Sequence, residues 1–162
     1  MTTTPTTTTP APTKRTALPP AQTASIAPAP SSVAPVPTTE EAAFDKSYAT
    51  TVTADIVDDI ATADERFSDR PELGAATTMG FLSHDMERLL NAGIPPVKDK
   101  AAYYALVTTL GQFYGKARDQ LPYDVLGAAA NYSVAREQTR NLLAILNPLL
   151  GKHYSLPTWS YM

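Results

Sequence analysis

Residues 101–122 read AAYYALVTTLGQFYGKARDQLP, and this stretch decides the fold class. Tyr103, Leu106, Leu110, Phe113 and Ala117 recur in alternating steps of three and four. That spacing predicts a helix packed along one seam against near-antiparallel partners. Leu121-Pro122 closes it, because the residue before a proline is pushed out of the α region.

Working outward, the flanking segments carry the same period. On the C-terminal side a helix is predicted to begin at once, with Val125, Ala129, Tyr132, Leu143, Leu146 and Leu150 on one face; Pro148 disturbs its last turn and Gly151 ends it. On the N-terminal side Met79, Leu82, Met86, Leu89 and Leu90 form a stripe terminated by Gly93, Pro95 and Pro96. Asp69 and Glu72, with Pro71 in the first turn, are read as its cap. Phe44, Tyr48, Val52, Ile56, Ile60 and Phe67 mark a further helix to about Ser68, which Thr38 and Glu41 predict to start at Glu40. Thr50, Thr51 and Thr53 weaken its middle, where the sequence leaves room for a break. Four amphipathic helices with short connections call for an all-α, up-down-up-down four-helix bundle over residues 40–162. The apolar run Tyr154, Leu156, Trp159 and Tyr161 is expected to pack back on the bundle or on a partner.

Residues 1–39 are of a different kind. They hold nine of the 15 prolines, no glycine, no aromatic and no acidic residue, and Lys14 and Arg15 are their only charges. Such a Thr/Pro/Ala-rich segment cannot bury enough apolar surface to offset the entropy of ordering, so it reads as a disordered tail, linker or targeting segment. Prolines 19, 20 and 28 and Gln22 interrupt Thr16–Ala29, which excludes it as the apolar core of a secretory signal.

All 16 acidic residues lie from Glu40 onward, and a net acidic domain excludes nucleic acid as the natural partner. Without cysteine there is no disulfide, thiolate nucleophile or Cys-ligated zinc. No run approaches the roughly 18 apolar residues of a membrane span, so membrane association is peripheral at most.

Candidate chemistry is thin. Asp55, Asp58 and Asp59 form an acidic ridge that reads as a solvated helix face, with a cation site as the alternative. His84 beside Asp85 suggests a base and its orienting carboxylate, but adjacent helical residues do not face one another, and structural roles are expected for His84 and His153. Gly111 and Gly115 are read as a point of close helix approach, and Asn131-Tyr132-Ser133 as a chance glycosylation match inside a helix. No catalytic residue, cofactor or metal ligand is assigned. Basic pairs Lys98/Lys100, Lys116/Arg118 and Arg136/Arg140, together with Trp159 and Tyr161, are the candidate contacts for a protein partner.

From Phe81 onward the pattern resembles the PsbQ family, the extrinsic four-helix subunits of photosystem II also called oxygen-evolving enhancer protein 3. The resemblance starts at Phe81-Leu82-Ser83-His84-Asp85-Met86, passes through Pro95, Lys98 and Lys100, follows Leu106, Leu110, Phe113 and Ala117, and ends at Tyr132 and Leu142–Leu146. It implies a non-enzymatic subunit in the thylakoid lumen, docking on photosystem II and supporting the oxygen-evolving complex. The hydrophobic lumenal-targeting stretch of that family's precursors is not found here. Alternatives are the lumenal four-helix assembly factor of photosystem II, a cytoplasmic helical adaptor with a Thr/Pro spacer and Trp159 and Tyr161 as contacts, and a metal-dependent enzyme using Asp55, Asp58 and Asp59.

Overall fold

The computed structural model describes residues 43–69 and 74–160, and within them helices are the only regular secondary structure. Helices α1 (Lys46–Asp69), α2 (Ala75–Asn91), α3 (Lys100–Gln120) and α4 (Val125–Leu150) pack in a ring in which each touches its chain neighbours and α4 returns to α1. The diagonal pairs do not pack, which is the arrangement of the up-down-up-down bundle. The proposed disorder of residues 1–39 lies outside the described residues, as does the Thr38/Glu41 cap.

The first helix corrects its predicted start. Residues 43–45 are not helical, and Asp45 is the cap: its carboxylate accepts the Tyr48 N–H at 2.9 Å while its own N–H bonds the Ala92 carbonyl at 2.7 Å. A helix running through from Glu40 would need that N–H for the carbonyl four residues earlier. The weak middle does not break the helix, which runs on to Asp69. Thr50, Thr51 and Thr53 turn their hydroxyls back onto the carbonyls of Lys46, Ser47 and Ala49, so the helix absorbs them without interruption.

Asp69 is the last residue of α1 rather than the cap of α2, which follows Gly74 at φ 110°, a left-handed conformation that favours glycine. Pro71 and Glu72 lie outside the described residues. In α3 the buried seam is Tyr103, Val107, Leu110, Tyr114 and Ala117, with Leu106 and Phe113 only half-buried. The helix is rotated from the predicted seam because it packs on α2 and α4 at once. Its cap is Asp99, which accepts from the Ala102 N–H at 2.8 Å, and Asp124 caps α4 through the Gly127 N–H at 2.8 Å. Pro148 is accommodated in the last turn of α4 before Gly151 at φ 67°.

The seam between α1 and α4 is the loosest at backbone level, and large side chains fill it. Phe67 stacks on Tyr132 with ring centroids 4.8 Å apart. The segment after Gly151 then runs back over this seam, as one of the two expectations for it had it. Asn147 holds Tyr154 by two hydrogen bonds of 2.9 and 2.8 Å, the Tyr154 hydroxyl reaches the Thr50 carbonyl at 3.2 Å, and Trp159 lies edge-on to Tyr132 at 5.1 Å.

Candidate partner-binding surface

The predicted basic contacts do not form one face. Lys98, Lys100, Lys116 and Arg118 are all exposed, but they flank opposite ends of α3, since 16 residues of helix separate Lys100 from Lys116 by about 24 Å. Arg118 pairs with neighbouring Asp119 at 2.8 Å, and Arg140 is exposed and paired with Glu137 one turn earlier.

Arg136 is not a surface contact at all. Only 4 % exposed, it lies one turn beyond Tyr132 on the core face of α4 and forms a fork with Asp64 of α1. Its Nε and Nη2 donate to the Asp64 carboxylate at 2.9 and 2.8 Å, and Nη2 also bonds the Pro157 carbonyl. The Tyr132 hydroxyl donates to Asp64 Oδ1 at 2.6 Å. Burial opposes the Arg136 charge, but the Asp64 hydrogen bonds and field outweigh it and raise the guanidinium pKa. Burial, reinforced by Asp64, pushes the Tyr132 phenol far above the ordinary tyrosine range. Trp159 belongs to the same cluster, with the guanidinium 5.7 Å from its ring centroid. Arg136 and Trp159 therefore close the α1–α4 seam, and Tyr161 lies outside the described residues.

What does face solvent is a groove between α2 and α3. Ser83 Oγ donates to the Gly111 carbonyl at 2.9 Å, and a Cβ on Gly111 would meet Met86 Cβ at 3.4 Å, so the two helices approach to the point where a methyl just fits and a larger side chain has no room to spare. Along this face an open groove of about 660 Å³ remains, lined by Met86, Leu90, Val107, Gly115, Lys116 and Tyr123 among others. At its α3–α4 end Tyr123 is 77 % exposed and Leu126 74 %, the most exposed large apolar side chains among the described residues. Sequence reasoning missed both. The signal was available in Leu121-Pro122-Tyr123-Asp124: a connection this short leaves its third residue outside the core.

The acidic ridge lies on the opposite side of α2. Asp55, Asp58 and Asp59 border a small cleft of about 250 Å³ with Phe81, His84, Asp85 and Arg88. Arg88 Nη1 bridges Asp55 at 2.9 Å and Asp85 at 2.8 Å. Among the described residues no three acidic or imidazole groups are arranged to hold a metal ion. His84 approaches Glu87 at 3.6 Å while Asp85 is committed to Arg88, so the His84–Asp85 pair is not assembled. No described helix is long and apolar enough to cross a membrane. The chain matches no family model, no curated protein and no solved structure.

Proposed function

We propose that this chain is a non-enzymatic docking subunit whose contact surface is the α2–α3 groove and the adjoining α3–α4 turn. The observation that carries this reading is the exposure of Tyr123, which lines the groove together with Lys116, and of Leu126 in the first turn of α4. An exposed aromatic and leucine at the mouth of a groove, rimmed by charge, are the ingredients of an interface anchor. The rim carries both signs, Lys116 with Glu87 and Asp119, so charge orients the partner and makes the encounter salt-sensitive. An adaptor that relied on Trp159 is less well supported, because that ring is packed inward.

The narrower form of the proposal takes the partner to be the lumenal side of photosystem II. It rests on the resemblance from Phe81 onward, and with it comes a location in the thylakoid lumen.

The test is rebinding of the intact chain to photosystem II membranes stripped of their extrinsic subunits, at low and high salt. Saturable, salt-sensitive binding that falls at least tenfold in a Tyr123→Ser/Leu126→Ser variant is expected. No binding at low salt sinks the photosystem partner. Equal binding by the variant sinks the assigned surface.

A further inference from the structure

Asp85 is 4 % exposed, and its two oxygens have different fates. Oδ1 accepts from Arg88 at 2.8 Å, whereas Oδ2 is buried with no N–H or O–H donor in reach. Across the α1–α2 seam, Asp59 lines the same small cleft as Asp85, close enough for the two carboxyls to interact. Two ionised carboxylates there would repel, and Oδ2 would remain without a donor. A single proton on the pair removes both difficulties.

The surroundings favour that proton. On α1 the facing charges are Asp55 and Asp58; on α2 they are His84, Asp85 and Arg88. Arg88 is already divided between Asp55 and Asp85 and lies 5.9 Å from the centroid of the Tyr48 ring, and His84 approaches Glu87, so Asp59 is left among like charges. Burial first, then Asp85 and the other two aspartates, push the Asp59 carboxyl up to about 6.

We propose that Asp59 and Asp85 form a one-proton latch between α1 and α2, in which the protonated pair bonds across the seam and the ionised pair repels. Because α4 and the Asp64–Arg136 fork hold the other edge of α1, loss of the proton loosens one side of that helix only.

The direction of the pH effect follows from linkage. The folded carboxyl titrates above its ordinary value of 3.8, so between 3.8 and about 6 the folded chain keeps a proton that the unfolded chain has lost. The latch contribution is fully present below that window, falls as pH rises through it, and is gone above it.

The test is urea unfolding of the full chain across this range, with Asp59→Asn, whose amide supplies the donor permanently, and Asp58→Asn as a control of equal charge change. Relative to Asp59→Asn, the wild-type unfolding equilibrium constant is expected to rise on the order of tenfold across the window, Asp59 being partly exposed. Asp58→Asn keeps the wild-type fall across the window, its upper edge lowered only slightly because Asp58 is the smallest of the charges acting on Asp59. In carboxyl-carbon NMR, Asp59 titrates near its raised value in wild type and nearer the ordinary range in Asp85→Asn. An Asp59→Asn profile parallel to wild type, or an Asp59 resonance titrating in the ordinary carboxylate range in wild type, overturns the latch. Both of those readings stand even if Asp85→Asn fails to fold.

Discussion

Replacing Asp64 with alanine is the most severe single perturbation that the structure points to. The substitution removes the acceptor for the Arg136 fork and for the Tyr132 hydroxyl, whose remaining partner is the Ile60 carbonyl at 3.2 Å. It leaves a guanidinium that is 4 % exposed with only the Pro157 carbonyl and the Trp159 ring. Breaking a buried pair from one side costs about 3–5 kcal/mol. With an unfolding entropy of about 0.25 kcal/mol/K for a domain of roughly 120 residues, that lowers the melting temperature by about 12–20 °C. Far-ultraviolet circular dichroism measures the melt. The single tryptophan reports the site itself, since Trp159 packs on Tyr132 and Phe67 and its emission should move to the red as the cluster loosens. An Asp64→Leu/Arg136→Met double variant, which leaves no buried charge, should recover most of the loss. A loss below about 1 kcal/mol in Asp64→Ala, or strictly additive effects in the cycle of Asp64→Leu and Arg136→Met, would refute the argument that this pair is energetically coupled and desolvated.

Two further outcomes follow from the packing. Burial raises the phenols of Tyr103, Tyr114 and Tyr132 above their ordinary value of 10, so these three should stay un-ionised in the folded chain past that value, and stability should fall as pH rises beyond it; phenolate absorbance in the near ultraviolet, compared in buffer and in urea, measures the deficit. Gly111→Val should cost about 1–3 kcal/mol in urea unfolding by wedging α2 from α3, because a Cβ there already reaches contact with Met86 at 3.4 Å and the branched methyls go beyond it, whereas Gly111→Ala should be tolerated; an unchanged midpoint in Gly111→Val would mean that the helices separate freely.

The helices were legible because apolar period and punctuation agree. Leu121-Pro122 and Gly151 stop α3 and α4 where expected, and Val52, Ile56 and Ile60 lie on the buried face assigned to them. Caps were read less well. Asp45, Asp99 and Asp124 each cap without a partnering glutamate three residues on, so a search for paired capping signals found Thr38 and Asp69 instead. The surface was the least legible. Arg136 resembles any helix-face cation in one dimension, and only its position one turn from Tyr132 on the apolar face hints at burial. Its partner Asp64 is 72 residues away, a separation at which no local pattern carries information.

The strap laid over the α1–α4 seam also bears on the order of assembly. Helix pairs α2–α3 and α3–α4 meet through chain neighbours, as with Ser83 and Gly111, 28 residues apart. Closure by Tyr154 on Thr50 spans 104 residues. Loop-closure entropy grows with such separation, so contacts of this kind form late and are weak in the folding transition state. Lesions in the strap should therefore leave the refolding rate nearly intact and shorten the lifetime of the native chain, making residues 154–159 a kinetic lock as much as a source of equilibrium stability.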